Sequence, residues 1–121
     1  MKVKIDTKEK YHVITIQETG LSANMTEAIR NGLLTYSKNP TKNVVLVMKD
    51  IEFVEDAAAR TLINVQQDFY EMNASFVICN LQPGVLSILD ENGHLELMNV
   101  VPTESEAADI VYMEEIEREL E

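Results

Sequence analysis

Cysteine is almost missing from this chain, basic side chains are scarce, and long apolar runs are absent. The one cysteine, Cys79, has no partner for an internal disulfide, which suits a reducing cytoplasm. No stretch approaches the roughly 20 apolar residues needed to span a bilayer. The N-terminus lacks a secretory apolar core, so a cytoplasmic location without membrane insertion is expected. Ten Lys and Arg stand against 21 Asp and Glu, a formal net charge of -11. Such a surface repels phosphate backbones and anionic headgroups, arguing against nucleic-acid and membrane-surface binding and suiting a basic protein partner. There is no GxxxxGKS/T loop and no GxGxxG after a strand, hence nothing built to cradle nucleotide phosphates. His12 and His94 stand alone in the sequence and read as surface or turn residues. Cys and His lack metal-ligand spacing. Cys79 sits between apolar neighbours, where a thiol is buried and inert. No metal, cofactor or catalytic activity is expected.

What the chain does contain is enough for one core. At 121 residues, 45% hydrophobic and 26% charged, it reads as one globular domain, 1–121. Val3 and Ile5, then Val13, Ile14 and Ile16, flank the polar Lys8-Glu9-Lys10 turn as a hairpin. Gly20 to Asn24 form a turn in which Ser22 or Asn24 can cap a helix, with Asn24 and Glu27 spaced nearly as a capping box. Met25, Ala28, Ile29, Leu33 and Tyr36 share one helical face that ends at Asn39-Pro40. Val44–Met48 and Ser75–Cys79 are continuous apolar runs, the pattern of strands buried on both faces. Between them Ala58, Leu62, Val65, Phe69 and Met72 stripe a second helix. Pro83 opens a third, closed by Asn92-Gly93. Leu95 to Val101 is expected to be a last strand, and Pro102-Thr103 to start a final helix. Ala107, Ile110, Met113, Ile116 and Leu120 form that helix's apolar stripe, opposite a solvated face of Glu114, Glu115, Glu117, Glu119 and Glu121. The order ββαβαβαβα calls for an α/β fold, a mixed, mostly parallel sheet with helices packed on it.

The most informative segment runs from Asp50 to Leu62, out of a buried strand and into a helix start. Orphan backbone N–H groups and the helix dipole favour negative charge there. Asp56 is placed as the N-cap, with Glu55 just before it. Ala57, Ala58 and Ala59 follow as strong helix formers with a small, smooth face open to a partner helix.

This segment resembles the strand-to-helix junction of the STAS domain family, in its anti-sigma-factor antagonist type. Phe53-Val54 matches the family's aromatic–apolar pair, Glu55 stands for its Asp, and Asp56 falls on the phosphoacceptor Ser. Ala57, Ala58 and Ala59 replace the Ser/Thr, Gly and Leu that follow. Gly20, Leu21 and Ser22 are similar to the turn before its first helix. Pro83, Val85, Leu89, Gly93 and Leu95 are similar to its Pro-to-Gly-Leu stretch, and Glu104-Ser105-Glu106-Ala107 to the start of its last helix. The resemblance implies a STAS-like fold and a non-enzymatic regulator that competes with a sigma factor for an anti-sigma factor of the serine kinase type. The implied docking residues are Ser22, Asn24, Glu55, Asp56, Ala57, Ala58, Arg60 and Thr61. A carboxylate at 56 cannot accept phosphate by the Ser/Thr route, so the usual switch is absent or moved, with Thr61 and Ser22 the nearest hydroxyls. The site then carries a fixed negative charge where relatives gain one by phosphorylation. Two other readings stand beside this one: a non-switching scaffold or transporter-associated STAS subunit, and a small enzyme or ligand binder with a pocket at Glu55 and Asp56.

Overall fold

The architecture follows from the two buried apolar runs and the helices that must cover them. The computed structural model describes residues 1–121. Strands β1 (Val3–Thr7) and β2 (Tyr11–Ile16) pair antiparallel as the hairpin. Helix α1 (Thr26–Leu34) then leads to β4 (Asn43–Val47), which lies parallel to β2. After α2 (Asp56–Glu71), β6 (Phe76–Cys79) pairs parallel to β4. Beyond α3 (Pro83–Glu91), β7 (Val100–Val101) joins β6, and α4 (Glu104–Glu119) follows. The five-stranded sheet has the order β1-β2-β4-β6-β7, mostly parallel, as the element pattern requires.

Two elements are not visible as apolar runs. Gly20–Leu21 (β3) and Phe53–Val54 (β5) form a separate two-stranded parallel ladder. They are too short to leave a periodic signal, and they matter because they join the two loops at the candidate site. The expected strand from Leu95 also shrinks. Leu95–Leu97 is a 3₁₀ turn, and the ladder starts at Val100. Gln66 of α2 dictates this: its side chain donates to the Leu97 carbonyl at 3.1 Å and accepts from the Asn99 N–H at 2.6 Å.

The sheet separates two apolar clusters. On one face Ile14, Ile16, Leu46, Met48 and Ile78 pack with Ile29, Leu33, Leu62, Val65, Phe69 and Leu89 from α1, α2 and α3. On the other, Val13, Val45, Val47, Val77 and Cys79 pack against Ala107 and Val111 of α4. Burial pushes the Cys79 thiol up to about 12, so at neutral pH it is a small apolar side chain. His12, expected at the surface, is buried instead. Its ring bridges the Thr7 hydroxyl and the Thr41 carbonyl, each at 2.9 Å.

Helix α4 is turned differently from the reading of its stripe. Ala107 and Val111 are its buried residues. Met113, Ile116 and Leu120 face solvent, whereas Glu114, Glu115 and Arg118 are half-buried. A polar cluster sets this rotation. Asn43, at the start of β4, donates to the Lys10 carbonyl at 2.9 Å and to Glu115 Oε1 at 2.6 Å. Its Oδ1 accepts from the Ser75 N–H at 2.7 Å and from Arg118 at 3.3 Å. Arg118 also donates to Ser75 Oγ at 3.1 Å and to Glu115 Oε1 at 3.2 Å. Asn43 and Ser75 are themselves buried, so their polar atoms require partners. The end of α4 supplies them, and its apolar side is left outside.

Candidate functional site

The turn after β2 and the junction before α2 are adjacent in space although Ala23 and Glu55, which they carry, are 32 residues apart in sequence. Backbone bonds stitch them together: Glu52 N–H to the Thr19 carbonyl at 2.6 Å and Glu55 N–H to the Leu21 carbonyl at 2.8 Å. Glu55 adds a side-chain bond, accepting from the Ala23 N–H at 2.8 Å. Ala23 opens a 3₁₀ turn, Ala23–Met25, that runs into α1. Glu55 therefore satisfies an orphan donor on a neighbouring helical start rather than on its own.

This geometry revises the capping expectations. Glu55, with extended backbone (φ -71, ψ 154), occupies the N-cap position of α2, and Asp56 is the first helical residue. The Asn24–Glu27 box does not form, because the chain enters a 3₁₀ turn capped at Ser22 and α1 begins only at Thr26. The Ser22 hydroxyl donates to the side-chain oxygen of Asn24.

Released from capping, the Asp56 carboxylate faces two donors, Arg60 and His94. Arg60 Nη2, one turn on, lies 2.5 Å from Oδ2, and His94 Nε2 donates to Oδ1 at 2.7 Å. The hydrogen bond from His94, with the charge of Arg60 behind it, holds the Asp56 carboxyl below its usual range against the opposing effect of burial. The His94 side chain is only 12% exposed. Its placement is a consequence of how α3 ends. Gly93 takes φ +75, the Gly93 N–H bonds the Asp90 carbonyl at 3.1 Å, and the His94 N–H bonds the Leu89 carbonyl at 2.9 Å. This is the Schellman pattern, for which glycine at the left-handed position carries no Cβ penalty. His94, set aside in the sequence as an isolated turn residue, is thus the missed member of the site. Asn92-Gly93 was the available signal, but the 38-residue separation from Asp56 hid its target.

The remaining expected residues divide by exposure. Asn24, Glu55, Asp56, Ala57 and Arg60 are exposed and share one surface, with Ser22 and Thr61 half-buried. The Thr61 hydroxyl is occupied, donating to the Ala57 carbonyl of its own helix at 2.9 Å. Ala58 does not belong to this surface: it is fully buried, as is Ala59, and both pack into the core beneath α2. Two of the three alanines thus point inward, and only Ala57 stays outside. Phe53, which the sequence places in the motif and not among the docking residues, is 52% exposed. Its ring lies across Gly20, where a Cβ would come within 2.1 Å of ring carbon. The glycine is the seat that lets this aromatic lie flat beside Glu55.

None of the principal surface cavities is lined by Glu55 or Asp56, and no group of three or more His, Cys, Asp or Glu is placed to hold a metal ion. No helix is long and apolar enough to cross a membrane.

Comparison with known proteins places this geometry in a family. Curated protein sequences give no match. Among solved structures, an anti-sigma factor antagonist from Mycobacterium paratuberculosis superposes with a TM-score of 0.77 at 12% identity, covering 92% of this chain and 93% of that one. RsbS of Moorella thermoacetica, in a variant with glutamate in place of a serine, gives 0.74 at 23% identity, covering 93% and 96%. Murine Slc26a9, an anion transporter, gives 0.69 at 16% identity over 86% of this chain but 18% of the transporter. These likenesses establish a shared fold. The STAS domain model matches residues 2–107 of the sequence, spanning the β3 turn, the Phe53–Arg60 junction and the α3 cap, and the chain therefore belongs to the STAS domain family.

Proposed function

We propose that this protein is an anti-sigma-factor antagonist of the non-switching kind, which binds an anti-sigma factor of the serine kinase type and competes with a sigma factor for it. The observation that carries this reading is the junction itself. The Glu55–Ala23 bond and the β3–β5 ladder merge Ser22, Asn24, Glu55, Asp56, Ala57, Arg60 and Thr61 into one surface, with Phe53 lying open at its edge. An exposed aromatic flanked by polar groups is the usual make-up of a protein-docking centre. Competition needs only differential affinity and no chemistry within this chain.

Asp56 stands at the position that the family resemblance assigns to the phosphoacceptor. Its carboxylate is already bonded by Arg60 and His94 within the chain. The partner therefore encounters a paired carboxylate rather than a bare anion, and docking continues without a phosphorylation cycle. A second reading, a STAS subunit of a transporter, draws support from the likeness to Slc26a9.

Calorimetric titration against an anti-sigma factor kinase from the same cell tests the first reading. Phe53→Ala and Glu55→Lys are each expected to weaken binding at least about tenfold, or about 1.4 kcal/mol. Incubation with the kinase and labelled ATP should leave the native chain unlabelled and label Asp56→Ser. Equal affinity for the native chain and both docking variants would move the interface elsewhere. An unlabelled Asp56→Ser beside a competent kinase would undo the alignment of residue 56 with the phosphoacceptor.

A further inference from the structure

Helix α4 presents an amphipathic face that nothing in the molecule covers. Tyr112, Met113, Ile116 and Leu120 are 44%, 53%, 57% and 82% exposed. Their spacing, 112 to 116, 113 to 116 and 116 to 120, aligns them in one stripe along the helix, with Tyr112 at its sheet-side edge and the rest facing away from the sheet. The stripe is held outward by the polar cluster at the other side of α4, where Glu115 and Arg118 bond Asn43 and Ser75. Tyr112 is steadied at its edge by Tyr11, ring centroids 6.2 Å apart and nearly perpendicular. The family match ends at Ala107, one turn into this helix, so the stripe lies beyond the residues that the chain shares with the family model.

What surrounds the stripe selects its occupant. On the helical wheel Asp109 closes its N-terminal end, while Glu117 and Glu119 flank it on either side; all three are exposed. Arg118 is the one basic residue between Glu104 and Glu121, and it is turned inward. A second copy would bring these carboxylate rims against each other, between molecules already at -11. We infer that this face is a second docking surface, built for a basic amphipathic helix of another protein, its apolar side against Met113 and Ile116 and its Lys or Arg against Asp109, Glu117 and Glu119. Contacts of this kind combine an apolar anchor with a charged rim. This surface lies across the sheet from the junction and does not depend on the function proposed there.

The test uses the whole chain and an amidated leucine–lysine helix of about 18 residues, leucines on one face and lysines on the rest, long enough to be helical when bound. Titration should give a dissociation constant on the order of 10–100 μM that weakens with added salt. Amide shifts of the labelled protein should concentrate in residues 109–121. Met113→Gln with Ile116→Gln should weaken binding at least about tenfold while leaving the circular dichroism and thermal midpoint unchanged, because both side chains are exposed. A control peptide with serine for leucine separates the apolar anchor from bare charge attraction. Equal binding of that control, unchanged binding of the double variant, or shifts centred on Phe53 and Asp56 would each overturn the inference. So would concentration-dependent dimerisation abolished by the double variant, which would make the occupant a second copy.

Discussion

Asp56 is defined by its company more than by its own charge. A carboxylate at a helix start is expected to be stabilised by orphan N–H groups, yet here Glu55 takes the cap position and Asp56 is bound sideways by His94 and Arg60. The sign of its pH dependence follows. A carboxyl held below its ordinary value of 3.8 adds stability that is present above that value and is lost as pH falls through the depressed one. Carboxyl NMR titration should place Asp56 below 3.8 in the native chain, and His94→Ala should return it most of the way, since the His94 hydrogen bond is the largest cause. No movement in that variant would leave Arg60 as the only partner that counts. Asp56 and Glu55 were legible because their residue types suit a helix start wherever it occurs. His94 was not, since nothing local distinguishes a turn histidine aimed at a distant carboxylate from one aimed at water. Ala58 was misread for a related reason: alanine has the same sequence signature whether its methyl faces a partner or a core.

Among the elements, those with long apolar patterns were readable and those set by polar bonds were not. The runs at Val44–Met48 and Ser75–Cys79 announced the buried strands, and Pro83 and Gly93 bounded α3 as the capping rules require. The β3–β5 ladder, four residues in all, has no periodicity to detect. Helix α4 misleads most, because two stripes compete for the sheet and the more apolar one stays outside. The Asn43–Ser75–Glu115–Arg118 cluster decides between them, and it draws on residues from three parts of the chain. Arg118→Ala should cost about 1–3 kcal/mol in urea unfolding, because the buried Asn43 and Ser75 side chains lose a donor; a loss below about 0.3 kcal/mol would show the cluster to be incidental. Asn43, and secondarily Arg118, hold the Glu115 carboxyl below its usual 4.5. Its contribution is thus intact above pH 4.5 and fades as acid drives the pH through the lowered value. In Arg118→Ala that acid sensitivity should diminish.

On the scale of the whole molecule, acidity works against compactness. A net charge of -11 on 121 residues carries self-repulsion that the folded state concentrates and salt relieves. Raising ionic strength from about 0.01 M to about 0.15 M shortens the screening length from about 30 Å to about 8 Å. The thermal midpoint should rise by a few degrees over that range. A midpoint that falls instead would mean that attractive pairs such as Arg30–Asp68 and Arg60–Asp56 outweigh the repulsion.

The five-stranded sheet has α1, α2 and α3 on one side and α4 alone on the other. A protein seated on α4 therefore leaves the opposite face sterically free, and the packed strands between them keep the two occupants from touching. Were both proposed surfaces occupied, the chain would act as a coupler, holding one partner on each side of its sheet in a single ternary assembly. Severing either attachment would leave its counterpart in place.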